Sequence, residues 1–223
     1  MRVIGGTFGG RRLRPVEGRA TRPTSDRVRE ALFSRLEARY GLSGSLVLDV
    51  FAGTGALAIE AISRGASRAV CIELERRALD TLRDNVRDLD LAQKVRVIAD
   101  DYRKVLARLG SRPAGETEVD RAAPARRPFD GVFVDPPYGK GLAVPALAAV
   151  AELGLVRVGG WVSLEVDRRE ETPEAVAGPR IALRRMREDV YGDTKLALYE
   201  AQGEMPQSQH IASGEAAAAE VER

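Results

Sequence analysis

The feature that most constrains the fold is the alternation of short apolar runs with helix-like segments between residues 46 and 166. The apolar runs have the length and composition of buried strands and cover residues 46–50, 69–73, 95–98, 131–135 and 161–166. The helix-like segments between them cover about residues 56–64, 75–89, 102–109 and 142–153. This alternation predicts βαβ units, a parallel sheet and right-handed crossovers.

The last third of the chain breaks the alternation. Residues 181–187 and 194–200 predict two strands joined by a turn, so that an antiparallel strand would join an otherwise parallel sheet. Residues 111–127 are rich in proline, alanine, glycine and charge, which is typical of a surface loop. Residues 203–223 are polar and rich in alanine and glutamate, and we expect them to be disordered.

The N-terminal segment has its own organisation. Residues 2–14 place two short strand-like runs around a glycine-rich turn, which predicts a hairpin. Thr24 or Ser25 can cap a helix that continues to about Arg39. We therefore divide the chain into an N-terminal arm, a main domain and a tail, with the boundaries 1–22, 23–201 and 202–223.

Composition excludes several classes of protein. The chain has 223 residues, enough for one domain with a sizeable core. A single cysteine and a single histidine argue against an internal disulfide and against a His/Cys metal cluster. No apolar run has the length of a membrane span, and the N-terminus lacks the apolar stretch of a signal peptide. We expect a monomeric cytoplasmic protein without a metal ion.

Charge is unevenly distributed along the chain. Residues 1–39 contain ten arginines and four acidic residues, a net charge of +6, whereas the whole chain carries +2. A basic arm on a slightly acidic body favours a polyanionic partner such as nucleic acid. Arginine also exceeds lysine throughout this chain, so a merely solvated basic face remains the alternative.

A glycine-rich turn follows the first predicted strand and predicts a ligand site. Open α/β sheets bind ligands outside the carboxyl ends of their strands, and glycine allows the backbone to approach a ligand closely. The candidate binding residues here are Asp49, Phe51, Ala52, Gly53, Thr54 and Gly55.

Acidic residues also follow the next two strands. Glu73, followed by Leu74, ends the second strand, where a carboxylate can accept both hydroxyls of a ribose. Asp100 and Asp101, followed by Tyr102, end the third, where a carboxylate could accept an adenine amino group. Together with the glycine turn, these residues indicate a site for an adenine nucleoside.

Two cofactors compete for this site. Residues 53–58 formally match the dinucleotide-binding pattern, so a nicotinamide-dependent dehydrogenase is a rival, and a plain turn after a strand is a third possibility. Asp49, however, would repel a pyrophosphate. S-adenosylmethionine has no phosphate and carries a cationic amino group and a sulfonium, so it is favoured beside an acid.

The tetrapeptide Asp135-Pro136-Pro137-Tyr138 follows the fourth strand, next to the predicted cofactor crevice. An exocyclic amine on a base is a poor nucleophile, because its lone pair is delocalised into the ring. The Asp135 carboxylate and the Pro136 carbonyl can accept its hydrogens, and consecutive prolines hold these acceptors stiffly. Tyr138 can stack on an extruded base. The motif therefore indicates methylation of an amine, and we expect Asp135 to face the cofactor as well. The alternative is a simple turn, because Pro-Pro also occurs there.

These motifs together resemble a family of bacterial methyltransferases that modify the exocyclic N2 amine of one guanine in small-subunit (16S) ribosomal RNA. The resemblance covers about residues 1–201. The stretch RPTSDRVREALF at residues 22–33 is the most particular to that family, whereas the glycine turn and the Asp-Pro-Pro-Tyr motif occur in many amino methyltransferases. The remaining matches are residues 2–6, 10–13 and 191–196.

The resemblance implies a Rossmann-like class I methyltransferase with an α/β fold, a seven-stranded, mostly parallel sheet and an antiparallel last strand. It implies S-adenosylmethionine as cofactor, favours Asp101 over Asp100 at the adenine, and implies the assembling small ribosomal subunit as partner. RNA contacts are assigned to Arg2, Arg11, Arg12, Arg22, Thr24, Arg27 and Arg29.

Two other functions remain open at this point. A DNA adenine amino methyltransferase would use the same Asp-Pro-Pro-Tyr chemistry, but no segment here is large enough for a target-recognition domain. A catalytically silent RNA-binding protein is disfavoured, because binding alone does not need acceptors aimed at an amine.

Overall fold

The computed structural model describes residues 1–16, 26–111 and 128–203. Helices and strands follow each other in the order that the sequence predicts, after a 3-10 turn at Gly6–Phe8. The helices are α1 (Asp26–Tyr40), α2 (Ala56–Ser63), α3 (Arg76–Asp88), α4 (Tyr102–Gly110) and α5 (Ala143–Glu152). The strands are β1 (Leu46–Asp49), β2 (Arg68–Glu73), β3 (Val95–Ala99), β4 (Phe129–Val134), β5 (Val156–Asp167), β6 (Ala175–Ala177), β7 (Ile181–Tyr191) and β8 (Thr194–Gly203).

The strands form one sheet in the order β3-β2-β1-β4-β5-β8-β7-β6. The first five in this order are parallel, and β8, β7 and β6 continue the sheet antiparallel. This is the class I methyltransferase architecture. The described sheet has eight strands, however, and not the expected seven. The additional strand is β6, whose three residues at the sheet edge are too few to show a periodicity in the sequence.

Both faces of the sheet are covered by helices. Successive side chains of a strand point to opposite faces, so each strand contributes to two cores. In β1, Leu46 and Leu48 pack into the core beneath α4 and α5, whereas Val47 packs into the core with α1, α2 and α3. All four residues of β1 are buried. The glycine turn that follows β1 is therefore fixed at the centre of the sheet, between the ends of β2 and β4.

The N-terminal hairpin forms, with a bridge between Arg2 and Arg12 and a hydrogen bond of 2.9 Å from Val3 N to the carbonyl of Arg11. The arm contains few apolar residues, which predicts that they lie outside the core, but this prediction is wrong. Val3 and Leu13 are 1% and 3% exposed and pack into the same core as Leu32 and Phe33 of α1. Sequence did not reveal this, because two apolar residues in a short arm show no periodicity.

Several expectations lie outside the described residues. These are the capping residues Thr24 and Ser25, nearly all of the 111–127 loop, and the tail from residue 204 onward. Strand β8 continues to Gly203, two residues past the boundary at 201 that the sequence suggested. No helix of the described segments has the length and apolar character needed to cross a membrane.

Candidate active site

A cavity of about 810 Å³ opens at the carboxyl ends of the parallel strands. Its wall combines the glycine turn after β1, the end of β2, the start of α4 and the Asp-Pro-Pro-Tyr motif after β4. The topology brings these segments together because β1 lies between β2 and β4 in the sheet. All but two of the predicted cofactor residues thus share one pocket with the predicted catalytic motif.

The glycine turn and Glu73 form a connected unit. Glu73 accepts a hydrogen bond of 2.8 Å from Gly53 N, and bonds of 2.8 and 2.7 Å from the backbone N–H groups of Leu74 and Glu75. Gly53 has a φ of +55°, and a Cβ there would meet nothing within 4 Å. Gly53 therefore leaves open space at the pocket wall, while Glu73 holds the turn against the end of β2.

Two of the predicted cofactor residues do not line this pocket. Asp49 is 1% exposed and directly precedes the lining residues Val50 and Phe51. Gly55, with a φ of +82°, packs towards Leu82 of α3, so that a Cβ there would lie 2.4 Å from that side chain. Gly55 thus sets the path of the turn, and the pocket contacts come from its neighbours Phe51, Ala52, Gly53 and Thr54.

Asp49 is electrostatically unusual. Neither of its carboxylate oxygens has a hydrogen-bond partner in the described part of the chain. Burial raises the pKa of Asp49 to about 7, and the neighbouring charge of Glu73 contributes to the same shift. The backbone amides of Phe51 and Ala58 partly oppose this shift without reaching hydrogen-bonding geometry. A cation in the adjacent pocket would favour the ionised form of Asp49.

The far end of the pocket is formed by the residues after β3. Asp101 caps α4 by accepting a bond of 2.9 Å from Arg103 N, and Asp100 accepts one of 2.8 Å from Asp101 N. Tyr102 is buried, and its ring centroid lies 4.8 Å from that of Phe51. Leu74 lines the same pocket and is 67% exposed, an apolar surface suited to a nucleoside.

All four residues of the Asp135-Pro136-Pro137-Tyr138 motif line the pocket. The Tyr138 hydroxyl donates a hydrogen bond of 2.9 Å to Oε1 of Glu165 and lies 3.1 Å from the hydroxyl of Thr194. Burial and the Glu165 carboxylate raise the pKa of Tyr138 above its usual range, so the phenol stays protonated. The ring is therefore held in one orientation while 37% of the residue remains exposed.

Sequence reasoning missed several residues that organise this site. Glu165 and Thr194 lie on β5 and β8, and their role became visible only when the antiparallel pairing was known. Asn85 of α3 is buried, donates a bond of 3.0 Å to the carbonyl of Thr54 and accepts one of 2.7 Å from Arg14 N. Asn85 therefore ties the glycine turn to the N-terminal arm. A polar residue on the buried face of a predicted helix was the available signal.

The predicted RNA-binding residues fall into three groups. Arg2, Arg11, Arg12 and Arg27 are exposed, and Arg2 pairs with Asp26 at 3.1 Å. Arg22 and Thr24 lie outside the described residues. Arg29 was expected at the RNA surface, but it is 1% exposed because α1 turns it inward, where it contacts the carbonyl of Arg2.

The pocket fits S-adenosylmethionine. It contains an acid at the ribose position and an apolar wall, and a buried, unpaired carboxylate lies behind it, which suits a cationic cofactor and disfavours a pyrophosphate. No cluster of three or more potential metal ligands occurs within residues 1–16, 26–111 and 128–203. The fold and this pocket define a class I methyltransferase.

Comparison with known proteins identifies the family. The model of the family described as Conserved hypothetical protein 95 matches residues 1–200. Ribosomal RNA small subunit methyltransferase D of Escherichia coli K12 is 33% identical over 206 residues, which is 92% of each chain. The Haemophilus influenzae protein of the same name is 31% identical and covers 78% of this chain and 83% of its own. The chain therefore belongs to the family that this model describes, which confirms the resemblance seen in its motifs.

A solved structure supports the same conclusion. The structure of the Escherichia coli protein described as putative methyltransferase yhhF superposes on this one with a TM-score of 0.70 and is 32% identical in sequence. The superposition covers 92% of this chain and 99% of the yhhF chain. The similarity therefore extends over nearly the whole of both molecules, and S-adenosylmethionine is the cofactor that the family and the pocket indicate.

Proposed function

We propose that this protein transfers a methyl group from S-adenosylmethionine to the exocyclic N2 amine of a guanine in small-subunit (16S) ribosomal RNA. The observation that carries the proposal is the shared pocket, in which Asp135 and Pro136 face the same cavity as Gly53 and Glu73. The E. coli relative, named as a small-subunit ribosomal RNA methyltransferase, supports the choice of RNA. The bound cofactor would supply an electrophilic methyl group.

The chain's own residues prepare the amine. The Asp135 carboxylate and the Pro136 carbonyl accept hydrogen bonds from the two amine N–H groups, which draws the nitrogen towards a tetrahedral geometry and frees its lone pair. The proton that the amine loses on methylation passes to the Asp135 carboxylate. The two prolines preorganise these acceptors, so little rearrangement is needed during the reaction. Tyr138, fixed by Glu165 and Thr194, stacks on the base once it has left the helix. Positioning supplies most of the rate.

RNA binding is assigned to the exposed arginines at the N-terminal end. Arg11 and Arg12 have no ion-pair partner among the described residues, so their guanidinium groups are available to phosphates. Arg2 and Arg27 extend this surface, and Arg22 and Thr24 follow from the family motif. A basic face of this kind increases affinity for RNA without reading its sequence. A monomeric state and a cytoplasmic location stay predictions.

The test is methyl transfer with labelled S-adenosylmethionine to three substrates: small subunits that lack the modification, naked 16S RNA and duplex DNA. We expect label in the small subunit or its RNA and none in DNA. Methylation of adenine in DNA would instead support the DNA adenine methyltransferase. Binding of a nicotinamide dinucleotide without methyl transfer would support a dehydrogenase.

A further inference from the structure

The unpaired buried polar atoms of the described chain cluster at the candidate site. Buried side-chain nitrogen and oxygen atoms without a hydrogen-bond partner occur on Arg29, Asp49 and Tyr102. Arg29 and Tyr102 line the pocket, and Asp49 directly precedes the lining residue Val50. Buried polar groups are normally satisfied, because leaving one unpaired costs free energy. Unpaired buried atoms on residues that border a cavity therefore mark positions where a ligand can supply the missing partner.

Arg29 is held rigidly with part of its guanidinium unused. Its Nη2 donates bonds of 2.8 Å to the carbonyl of Arg2 and to Oδ1 of Asp26. Its Nη1 lies 4.0 Å from Oε2 of Glu60, and neither Nη1 nor Nε has a hydrogen-bond partner in the described residues. A guanidinium presents these donors as a planar fork that matches a carboxylate. The unpaired Nε and Nη1 donors of Arg29 can therefore bind an anionic ligand group.

The pocket offers few places for such a group. Its described lining carries six carboxylate side chains and only two arginines, Arg29 and Arg103. Arg103 lies over the ring of Tyr102 and 3.6 Å from Asp101, at the end expected to hold the adenine. Arg29 lies instead beside Glu60 of the eight-residue helix α2, whose first residues Ala56 and Leu57 also line the pocket. A helix N-terminus adds favourable potential for a negative group.

S-adenosylmethionine carries one anionic group, the carboxylate of its methionine part. We propose that the Nε and Nη1 donors of Arg29 bind this carboxylate. The proposal rests on the cofactor of the proposed function and gives Arg29 a role that differs from the RNA contact expected from sequence. It also explains why a fully buried arginine is kept with two unpaired donors. Arg29 would set the orientation of the cofactor, with the adenine directed towards Asp100 and Asp101.

The test is calorimetry with two ligands, S-adenosylhomocysteine and its decarboxylated analogue, on the same protein samples. Arg29→Gln should weaken S-adenosylhomocysteine about 10- to 100-fold, as expected for a hydrogen bond to a charged group, and change the analogue by less than about threefold. The matched control is Arg103→Gln, the other pocket arginine, which should not discriminate between the ligands. Equal losses for both ligands in Arg29→Gln, or a carboxylate-selective loss in Arg103→Gln, would overturn the proposal.

Arg29→Gln removes one partner of Asp26, and a variant that fails to fold would give no binding data. The experiment therefore also includes Arg29→Lys and the wild type. Arg29→Lys keeps the charge and should show a smaller loss that is still selective for the carboxylate. In a crystal of the wild type with S-adenosylhomocysteine, the carboxylate should lie within about 3.2 Å of Nε or Nη1. A carboxylate bound elsewhere would refute only the proposed role of Arg29. Failure of the wild type to bind the ligand would refute the assignment of the cofactor.

Discussion

The hydroxyl of Tyr138 donates a hydrogen bond to Oε1 of Glu165, on the strand next to the one that precedes the proposed catalytic motif. This bond fixes the ring that is proposed to stack on the target base, and it connects the motif to the antiparallel end of the sheet. The orientation of the Tyr138 ring therefore depends on residues that are 27 and 56 positions away from it in the sequence.

Removing the Tyr138 hydroxyl should loosen the ring without emptying the pocket. We expect Tyr138→Phe to lower kcat about tenfold, the order of one hydrogen bond to a charged group, with little change in S-adenosylhomocysteine affinity. Tyr40→Phe is a matched control, because Tyr40 also bonds a glutamate, Glu200 at 3.2 Å, away from the pocket. Unchanged kcat in Tyr138→Phe would show that the hydroxyl does not position the ring.

Asp135 should matter for chemistry more than for cofactor binding. Asp135→Ala removes a proposed acceptor of the amine hydrogens, so transfer should be abolished. Affinity for S-adenosylmethionine should fall by less than about tenfold, since one hydrogen bond contributes roughly 1 kcal/mol. Single-turnover kinetics and calorimetry separate the two effects. Near-wild-type turnover in the mutant would contradict the assigned chemistry.

The acidic and glycine residues around the turn should control cofactor affinity. Gly53→Val places a branched side chain at a φ of +55° and into open pocket space, and Glu73→Ala removes the acceptor of three backbone N–H groups. Both changes should weaken S-adenosylhomocysteine by more than about tenfold in calorimetry, which corresponds to 1.4 kcal/mol. Retained affinity in both variants would place the cofactor elsewhere.

Cofactor binding should depend on pH through Asp49. Its pKa is about 7 in the free protein, and a cationic ligand favours the ionised form, so binding should release a proton below pH 7. Affinity for S-adenosylmethionine, which carries the cationic sulfonium, should therefore fall by about three- to tenfold between pH 8 and pH 6. Calorimetry in buffers of different ionisation enthalpy measures the proton release. Asp49→Asn should bind more weakly and lose this pH dependence; a wild-type affinity that does not change with pH would refute the linkage.

The N-terminal arm should contribute to RNA binding through side chains while its backbone stabilises the fold. The N–H groups of Ile4 and Gly5 donate bonds of 2.6 and 2.9 Å to the buried Glu60, but the side chains of Arg11 and Arg12 are exposed. Replacing both arginines by alanine should leave the melting temperature nearly unchanged. RNA affinity should fall, and the slope of log affinity against log salt should decrease by about one to two units. An unchanged slope would place the RNA surface elsewhere.

Sequence predicted the parts of this molecule that depend on local pattern and missed the parts that depend on distant contacts. The strands up to β5 were predicted from their apolar runs, and the turn after β1 was predicted from its glycine residues. The inward direction of Arg29 was missed, because its charge suggested an exposed position. Leu32, Phe33 and Leu36 lie three, four and seven residues further along α1 and place Arg29 on the buried face of that helix. The Tyr138–Glu165 bond likewise required the pairing of β4 with β5.

The most direct test of the central claim is nucleoside analysis of 16S RNA after reaction with the purified protein. Small subunits lacking the modification are incubated with S-adenosylmethionine, and the digested RNA is examined by mass spectrometry. The account predicts N2-methylguanosine at one position with the wild type and none with Asp135→Ala. Methylation of another base or atom by the wild type, or no methylated nucleoside from a protein that binds the cofactor, would contradict it.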